Sequence, residues 1–492
     1  MTAHDHAADA RALRAKLKHP VVDSDGHILE FLPLFFDYFR QVAGNDLYTR
    51  YMSRGKVSDR YSLPAERQER RLSRSPFWTM PAKNTLDRMT ATLPALLRER
   101  LDDFGIDFTV LYPTLGLNLY NEPEQEFRLA LCRAYNTMVA DQYREHADRM
   151  TPVAIIPAFT PKEATDELEH AVRTLGLKAL TLGTMVRRPI EAAKKISPEA
   201  ARYAVWFDNL ALDSAYDYDP FWAKCVELKI SVASHVESIG RGFRTSTSNY
   251  TFCQVGAFAE AGDAFCRAVV LGGVARRFPT LNFAFLEGGA GWACDVFRGL
   301  DSRLKKRSGK ALENYNPANI DQKLAEELLN RYGGRLAGRF AQAHLAEYNA
   351  LAPTISLDGI NREQLDNVDE WKASGIRTRE ELMDVFSRQF YFGCEADDPT
   401  AGLAYQGMGT PRKTPLRAMF SSDLGHWDVV DMLAILPEAF ELLDDGLLDE
   451  RQFRQFMFSH TAAQHATMNP DFFKGTVVED AVAKEMNVAL AA

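Results

Sequence analysis

Eight short apolar runs, five of them ending in carboxylates or imidazoles, recur along this chain of 492 residues. They are "HPVVDSDGHI" (19–28), "IDFTVLYPTLG" (106–116), "MTPVAIIPA" (150–158), "LKALTLGT" (177–184), "KISVASHVE" (229–237), "LNFAFLEGG" (281–289), "QFYFGCEADD" (389–398) and "LRAMFSSDLGH" (416–426). Nearly continuous apolar runs of this length suit strands buried on both faces of a parallel sheet. Helical patterns fill the gaps. "PEQEFRLALCRAYNTMVADQYREHADR" is amphipathic, and "PKEATDELEHAVRTLG" opens on Pro and acids and closes on Gly. "DPFWAKCVELK" and "AGDAFCRAVVLGGVARRFP" repeat the pattern. Strands alternating with helices eight times predict an α/β chain, a (β/α)8 barrel of the TIM type.

The spacing is uneven. Roughly 75 residues separate the first two runs and about 100 the sixth and seventh, far beyond an ordinary connection. Both stretches carry helical patterns of their own, "LPALLRERLDDFG" and "ANIDQKLAEELLNRYGGRLAGRF". Insertions after barrel strands sit over the C-terminal face, where active sites lie. The expected organisation is an N-terminal arm and helix over 1–18 and a single barrel over 19–475. Inserts occupy about 31–100 and 295–388, and a C-terminal helix or tail covers 476–492.

Net charge is −9, and the basic pairs at 70–71 and 305–307 are too short for a nucleic-acid face. Six scattered cysteines without CxxC spacing suit buried, reduced thiols in a cytoplasmic protein. The opening "MTAHDHAADARALRAKLKHP" has no apolar core of a signal sequence, and His4 and His6 are expected in a disordered tail. No apolar run is long enough to span a membrane.

The polar residues gather where the runs end. In an extended chain Asp23, Asp25 and His27 would share one face. His235 and Glu237 end the fifth run, Glu287 the sixth, Glu395, Asp397 and Asp398 the seventh, and Asp423 and His426 the eighth. Each has a plain structural reading: Asp25 caps a turn before Gly26, Asp423 caps the helix near "WDVVDMLAIL", and Glu287 satisfies loop amides. Their coincidence at one barrel mouth favours a carboxylate and imidazole site for divalent Zn, Mn or Fe.

The set "DSDGH", "SHVE", "FLEGGAGW" and "SSDLGHWD" resembles the amidohydrolase-related family, across the chain from about His19 to "MNPDFFKGTVVEDAV". This is the branch holding metal-dependent decarboxylases of aromatic and muconate acids and carbon–carbon bond hydrolases. The resemblance implies that Asp25, His27, His235 and Asp423 bind a divalent metal. Two departures stand out: Asp25 occupies a position where the superfamily usually has histidine, and no lysine ends the fourth run, Lys178 lying near its start. One or two ions per chain are expected. Glu287 is the foremost further ligand, with Glu395 next as a second-metal or supporting residue, and Asp23 as support.

The expected chemistry is hydrolysis by a metal-activated water, with Asp423 accepting the proton and His426 donating to or polarising the substrate. The alternatives are a metal-dependent decarboxylase, a dinuclear non-haem iron monooxygenase of the kind that resembling barrels in bacterial terpenoid pathways suggest, and a non-enzymatic binding protein. Aromatic inserts (Tyr48, Tyr51, Phe77, Trp78, Tyr120, Tyr315, Tyr332) with Arg241 and Arg244 suggest a fairly large, apolar, acid-bearing small molecule. A homodimer is expected, without nucleic-acid or membrane partners.

Overall fold

The computed structural model describes residues 3–54, 62–76, 81–236, 242–315, 319, 321–336 and 369–491. Eight parallel strands form one sheet: β1 (Val22–Ile28), β2 (Phe108–Pro113), β3 (Met150–Ile156), β4 (Ala179–Leu182), β7 (Val232–Ser234), β8 (Phe283–Phe285), β9 (Phe390–Cys394) and β10 (Arg417–Phe420). They pair in that order, each with the next. The ring closes just past β10. The Asp423 amide donates to the Asp25 carbonyl at 2.9 Å, and the His27 amide to the Leu424 carbonyl at 2.6 Å. This is a (β/α)8 barrel.

Each strand sits inside one of the apolar runs, shortened to the residues that pair. No predicted run covers β5 (Val186–Pro189) and β6 (Val205–Asp208), an antiparallel ribbon between β4 and β7. Its first strand carries Arg187 and Arg188, and its second is half-exposed at Val205, Trp206 and Phe207. Helices lie where the patterns predict, at Gln125–Tyr143, Pro161–Arg173, Asp219–Glu227 and Ala257–Leu271. The first insert carries helices Leu32–Met52, Pro64–Arg70, Thr85–Thr92 and Pro94–Phe104. Much of the second, residues 337–368, lies outside the described residues.

Alternation along each strand divides the core. Phe108, Val110 and Tyr112 of β2 join an inner cluster with Val22, Val153, Ala179, Ala233, Tyr391 and Met419, while Leu111 joins the outer, helix-packed one. Phe458, Ala462, Phe472 and Phe473 belong to the inner cluster and plug the barrel's N-terminal end. Lys178 reaches the Phe472 carbonyl at that end, at 3.1 Å and away from the mouth. The N-terminal stretch corrects one expectation: the helix Ala3–Lys16 includes His4 and His6, so this stretch is not a disordered tail. Arg11 pairs with Asp103, and Arg14 donates to Asp107 at 3.0 Å, docking the helix on the barrel. All six cysteines are free and buried. Among the described residues no helix is long and apolar enough to cross a membrane.

Candidate metal centre

At the C-terminal end of β1 the ladder to β2 slips between Asp23 and Gly26. The bulge separates residues that a regular strand would align. Asp23 turns towards Gly26, where an added Cβ would lie 2.8 Å from its Oδ2 and 2.7 Å from Thr109 Oγ1. So Asp23, Asp25 and His27 do not share one face. Asp23 accepts from the amides of Asp25 (3.2 Å) and Ser422 (2.8 Å), and from the hydroxyls of Thr109 (2.6 Å) and Ser422 (2.7 Å). A carboxylate offers about four acceptor positions, and all are taken. Asp23 therefore pins β1, β2 and the end of β10 together and is no ligand. Burial pushes its carboxyl up to about 6 against the pull of those donors.

His27 Nδ1 faces the Pro113 carbonyl at 3.1 Å, and His235 Nδ1 faces the Val236 carbonyl at 3.2 Å. A carbonyl only accepts, so both protons sit on Nδ1 and both Nε2 atoms carry lone pairs. Those lone pairs face each other at 3.1 Å. Burial holds both rings neutral, with His27 well below the usual range and His235 lowered to about 3. Two neutral nitrogen lone pairs at that distance repel unless an electrophile sits between them.

The surroundings supply the remaining donors. His27 Nε2 lies 3.6 Å from Asp25 Oδ1 and 3.3 Å from Asp423 Oδ1, and His235 Nε2 lies 3.9 Å from Asp25 Oδ2. Tetrahedral ligands at ordinary metal–ligand bond lengths stand about 3.3–3.6 Å apart, so these atoms are spaced to hold one ion. Both Asp25 oxygens, both Glu287 oxygens and Asp423 Oδ1 are buried without a hydrogen-bond partner. Such orphaned acceptors are costly without a cation. The plain readings of Asp25 as a turn cap and Glu287 as a loop acceptor fall with them. The cap near "WDVVDMLAIL" is Asp431, which accepts from the Leu433 amide.

Two carboxylates reach to both sides of the cluster. Asp423 presents Oδ1 to His27 and Oδ2 to His426 Nδ1 at 3.0 Å; Glu287 presents Oε2 to His235 at 3.2 Å and Oε1 to His426 Nδ1 at 3.5 Å. Both residues hold left-handed backbone, φ 50° at Asp423 and 58° at Glu287, a conformation costly for a residue with a Cβ. His426 stacks on His27, centroids 4.4 Å apart at 10°, and Trp427 covers its other side at 4.0 Å. Burial opposes a charge on His426, but Asp423 and Glu287 outweigh it and hold the ring protonated well above its usual range. Burial and Asp423 push the Glu287 carboxyl up to about 8.

Other expected residues stand further back. Glu395 is half-buried, and burial with the charges of Asp423 and Glu287 pushes it up to about 9, but it does not join the groups of converging ligand atoms. Arg244 pairs with Glu260 at 2.6 Å and with the Val255 carbonyl, so it is a loop residue and not a substrate clamp. Arg241, Glu237, Phe77 and Trp78 lie outside the described residues. Tyr48 and Tyr51 pack on Phe39 in the core. Tyr120 donates to the His235 carbonyl at 2.9 Å, and Tyr315 and Tyr332 are exposed. Sequence reasoning missed Asp428, which joins Glu287, Asp423 and His426 as a fourth convergent donor, and Tyr112 beneath His27. Asp428 had only its place in "SSDLGHWD" to mark it, and Tyr112 looked like any apolar strand residue.

Residues 81–314 match the family model described as amidohydrolase. The match covers a little under half of the chain, and it makes this part of the chain similar to the amidohydrolases. Among solved structures, an amidohydrolase from Mycobacterium avium subsp. paratuberculosis K-10 is similar at a TM-score of 0.51 and 16% identity, covering 91% of this chain and 99% of that one. A 2,6-dihydroxybenzoate decarboxylase from Rhizobium gives 0.48 and 13%, over 91% and 98%. A dihydroxybenzoic acid decarboxylase from Polaromonas sp. JS666, with bound manganese and 2-nitroresorcinol, gives 0.48 and 13%, over 93% and 99%. At such identities the likeness is one of fold. The converging donors are of the kind that could hold a divalent metal.

Proposed function

We propose that the protein is a metal-dependent hydrolase of the amidohydrolase type whose ion is held by Asp25, His27, His235 and Asp423. The observation that carries this is the pair of facing Nε2 lone pairs, ringed by carboxylate oxygens without partners. A divalent cation held there would supply acidity to a water, bringing its pKa towards neutrality, and Asp423 is the residue placed to accept a proton. The His426 imidazolium, steadied at Nδ1 by Asp423 and Glu287, gives the proton on Nε2 to the leaving group. Trp427 and the stack with His27 hold its ring in place.

Among the described residues, the charges acting on Asp25, Glu287, Glu395 and Asp423 come chiefly from one another, Asp428 and His426, with no Arg or Lys prominent among them. This favours an uncharged ester, amide, thioester or carbon–carbon bond at the reacting centre. It weighs against decarboxylation, which brings in a further carboxylate. With Arg244 engaged by Glu260, the acid-bearing part of the expected substrate loses its described support.

A second reading rests on the reach of Glu287 and Asp423 to both sides of the cluster. Two cations bridged by them would give the carboxylate-rich set used by oxygen-activating dinuclear iron. A cytoplasmic homodimer completes the proposal. Elemental analysis after reconstitution, followed by hydrolytic turnover of an ester and amide panel, tests it. One Zn or Mn per chain with turnover lost in Asp423→Asn supports hydrolysis. Two irons with oxygen consumption supports the second reading. Absence of any transition metal after reconstitution rejects both.

A further inference from the structure

The pairing of β4 with β7 stops just short of the metal centre. Its last matched residues are Leu182 and Ser234, and its final rung is the His235 amide donating to the Leu182 carbonyl at 3.3 Å. A continued parallel ladder would bring the amide of residue 184 to the His235 carbonyl. The chain instead leaves β4 for the ribbon that opens at Val186. The His235 carbonyl takes its hydrogen bond from a side chain. The Tyr120 hydroxyl donates to it at 2.9 Å, from a turn (Gly116–Asn121) and across 115 positions of sequence.

Tyr120 is built into that place. It is buried, and its ring lies against Gly183, where an added Cβ would stand 2.8 Å from Tyr120 Cε2. Only a glycine leaves the ring room there. The residue after His235 completes the arrangement, since the Val236 carbonyl accepts the proton on His235 Nδ1 at 3.2 Å. That bond decides which ring nitrogen keeps its lone pair. The Tyr120 hydroxyl fixes the peptide between His235 and Val236, and the Val236 carbonyl in turn fixes the imidazole.

We propose that Tyr120 is a positioning residue for His235, replacing the missing rung from β4 and holding the tautomer that leaves Nε2 open to a cation. This rests on the reading of His235 as a ligand given above. Without the hydroxyl the peptide is free to turn and the Val236 carbonyl moves off Nδ1. The ring proton then shifts to Nε2, which loses its lone pair. Tyr120 touches neither substrate nor cation in this role.

Tyr120→Phe keeps the ring and removes only the hydroxyl. Nitrogen-15 NMR of His235 in the metal-free protein, its signals identified by their loss in His235→Gln, reads the tautomer. Chelator competition reads zinc affinity. The wild-type ring is expected wholly as the Nδ1–H form. Tyr120→Phe should add the Nε2–H form and bind zinc about 10–100-fold more weakly. Gly183→Ala, which crowds the ring out, should do the same with the hydroxyl intact. Tyr405→Phe is the control, because the Tyr405 hydroxyl makes a like bond to the Ala418 carbonyl at 3.0 Å, at the far end of β10 from Asp423. It should leave tautomer and affinity as in the wild type. A wild-type tautomer or unchanged zinc affinity in Tyr120→Phe would overturn the inference. So would equal changes in Tyr405→Phe, which assign the effect to a loosened barrel. A wild-type protein that binds no zinc or other divalent ion overturns the metal-centre reading, while the tautomer of the metal-free protein still decides the role of Tyr120.

Discussion

Asp23 shows how one side chain governs a site it does not enter. Its four donors come from three strands' worth of chain, and Asp23→Ala leaves Ser422 and Thr109 groups buried without acceptors. The expected loss is about 3–5 kcal/mol, read as a lower urea midpoint in metal-free protein. Asp23→Asn, which keeps the shape and part of the bonding, should lose less. Gly26→Ala pushes the same clamp apart, since its Cβ would meet Thr109 Oγ1 and Asp23 Oδ2. Metal uptake should fall with little change in the outer helices' circular dichroism. Spacing in the sequence exposed Asp25, His27, His235 and Asp423 as mouth residues, because chemistry-bearing types end apolar runs. It placed Asp23 behind Asp25 as support but could not show the bulge, since a bulge is a two-strand property and the partner strand lies 86 residues away. Asp428 and Tyr112 were hidden for the same reason: each matters through neighbours distant in the chain.

At the level of elements, strand periodicity was a sound guide and loop partners were not. Every barrel strand is inside a predicted run, yet the ribbon at 186–189 and 205–208 stands outside them, its two strands only four residues each and the apolar stretch Val205–Phe207 too short to mark one. The loop after β7 is tied down by the first insert. Arg67 donates to the Thr247 carbonyl at 3.1 Å, Gln68 to the Thr247 hydroxyl at 2.6 Å, and the Arg74 amide to the Ser246 carbonyl at 2.7 Å. From the other side, Gln254 donates to Asp428 at 2.8 Å. The insert thus acts as a brace for a loop that borders the centre. Arg67→Ala combined with Gln68→Ala should speed amide hydrogen exchange across 246–256 by about tenfold, the effect of losing about 1.4 kcal/mol of local stability. The β3 and β4 amides should be unaffected. Equal acceleration throughout the chain would mean that the insert stabilises the whole barrel and not this loop.

For the molecule as a whole, pH and cation supply opposite levers. Burial lowers His460 and His465, beneath the barrel, to about 3. In the unfolded chain these imidazoles protonate near 6.5. Between those values the unfolded state binds more protons, so their contribution is complete above about 6.5 and is lost as pH falls towards 3. Thermal scans of metal-free protein should show the midpoint dropping across that window. His465→Gln should flatten the slope if it folds. Adding a divalent cation at about 100 times its dissociation constant should stabilise the fold by about 2.7 kcal/mol, visible as a higher midpoint that a chelator reverses. The closing clamp has one more consequence. Asp23 and Ser422 stand 399 positions apart, so at about 5–20 residues per second the ribosome releases the second about 20–80 s after the first. A nascent chain therefore displays Asp25 and His27 long before Asp423 exists to complete the cage. The ion meets a complete cage only after the last barrel strand has docked.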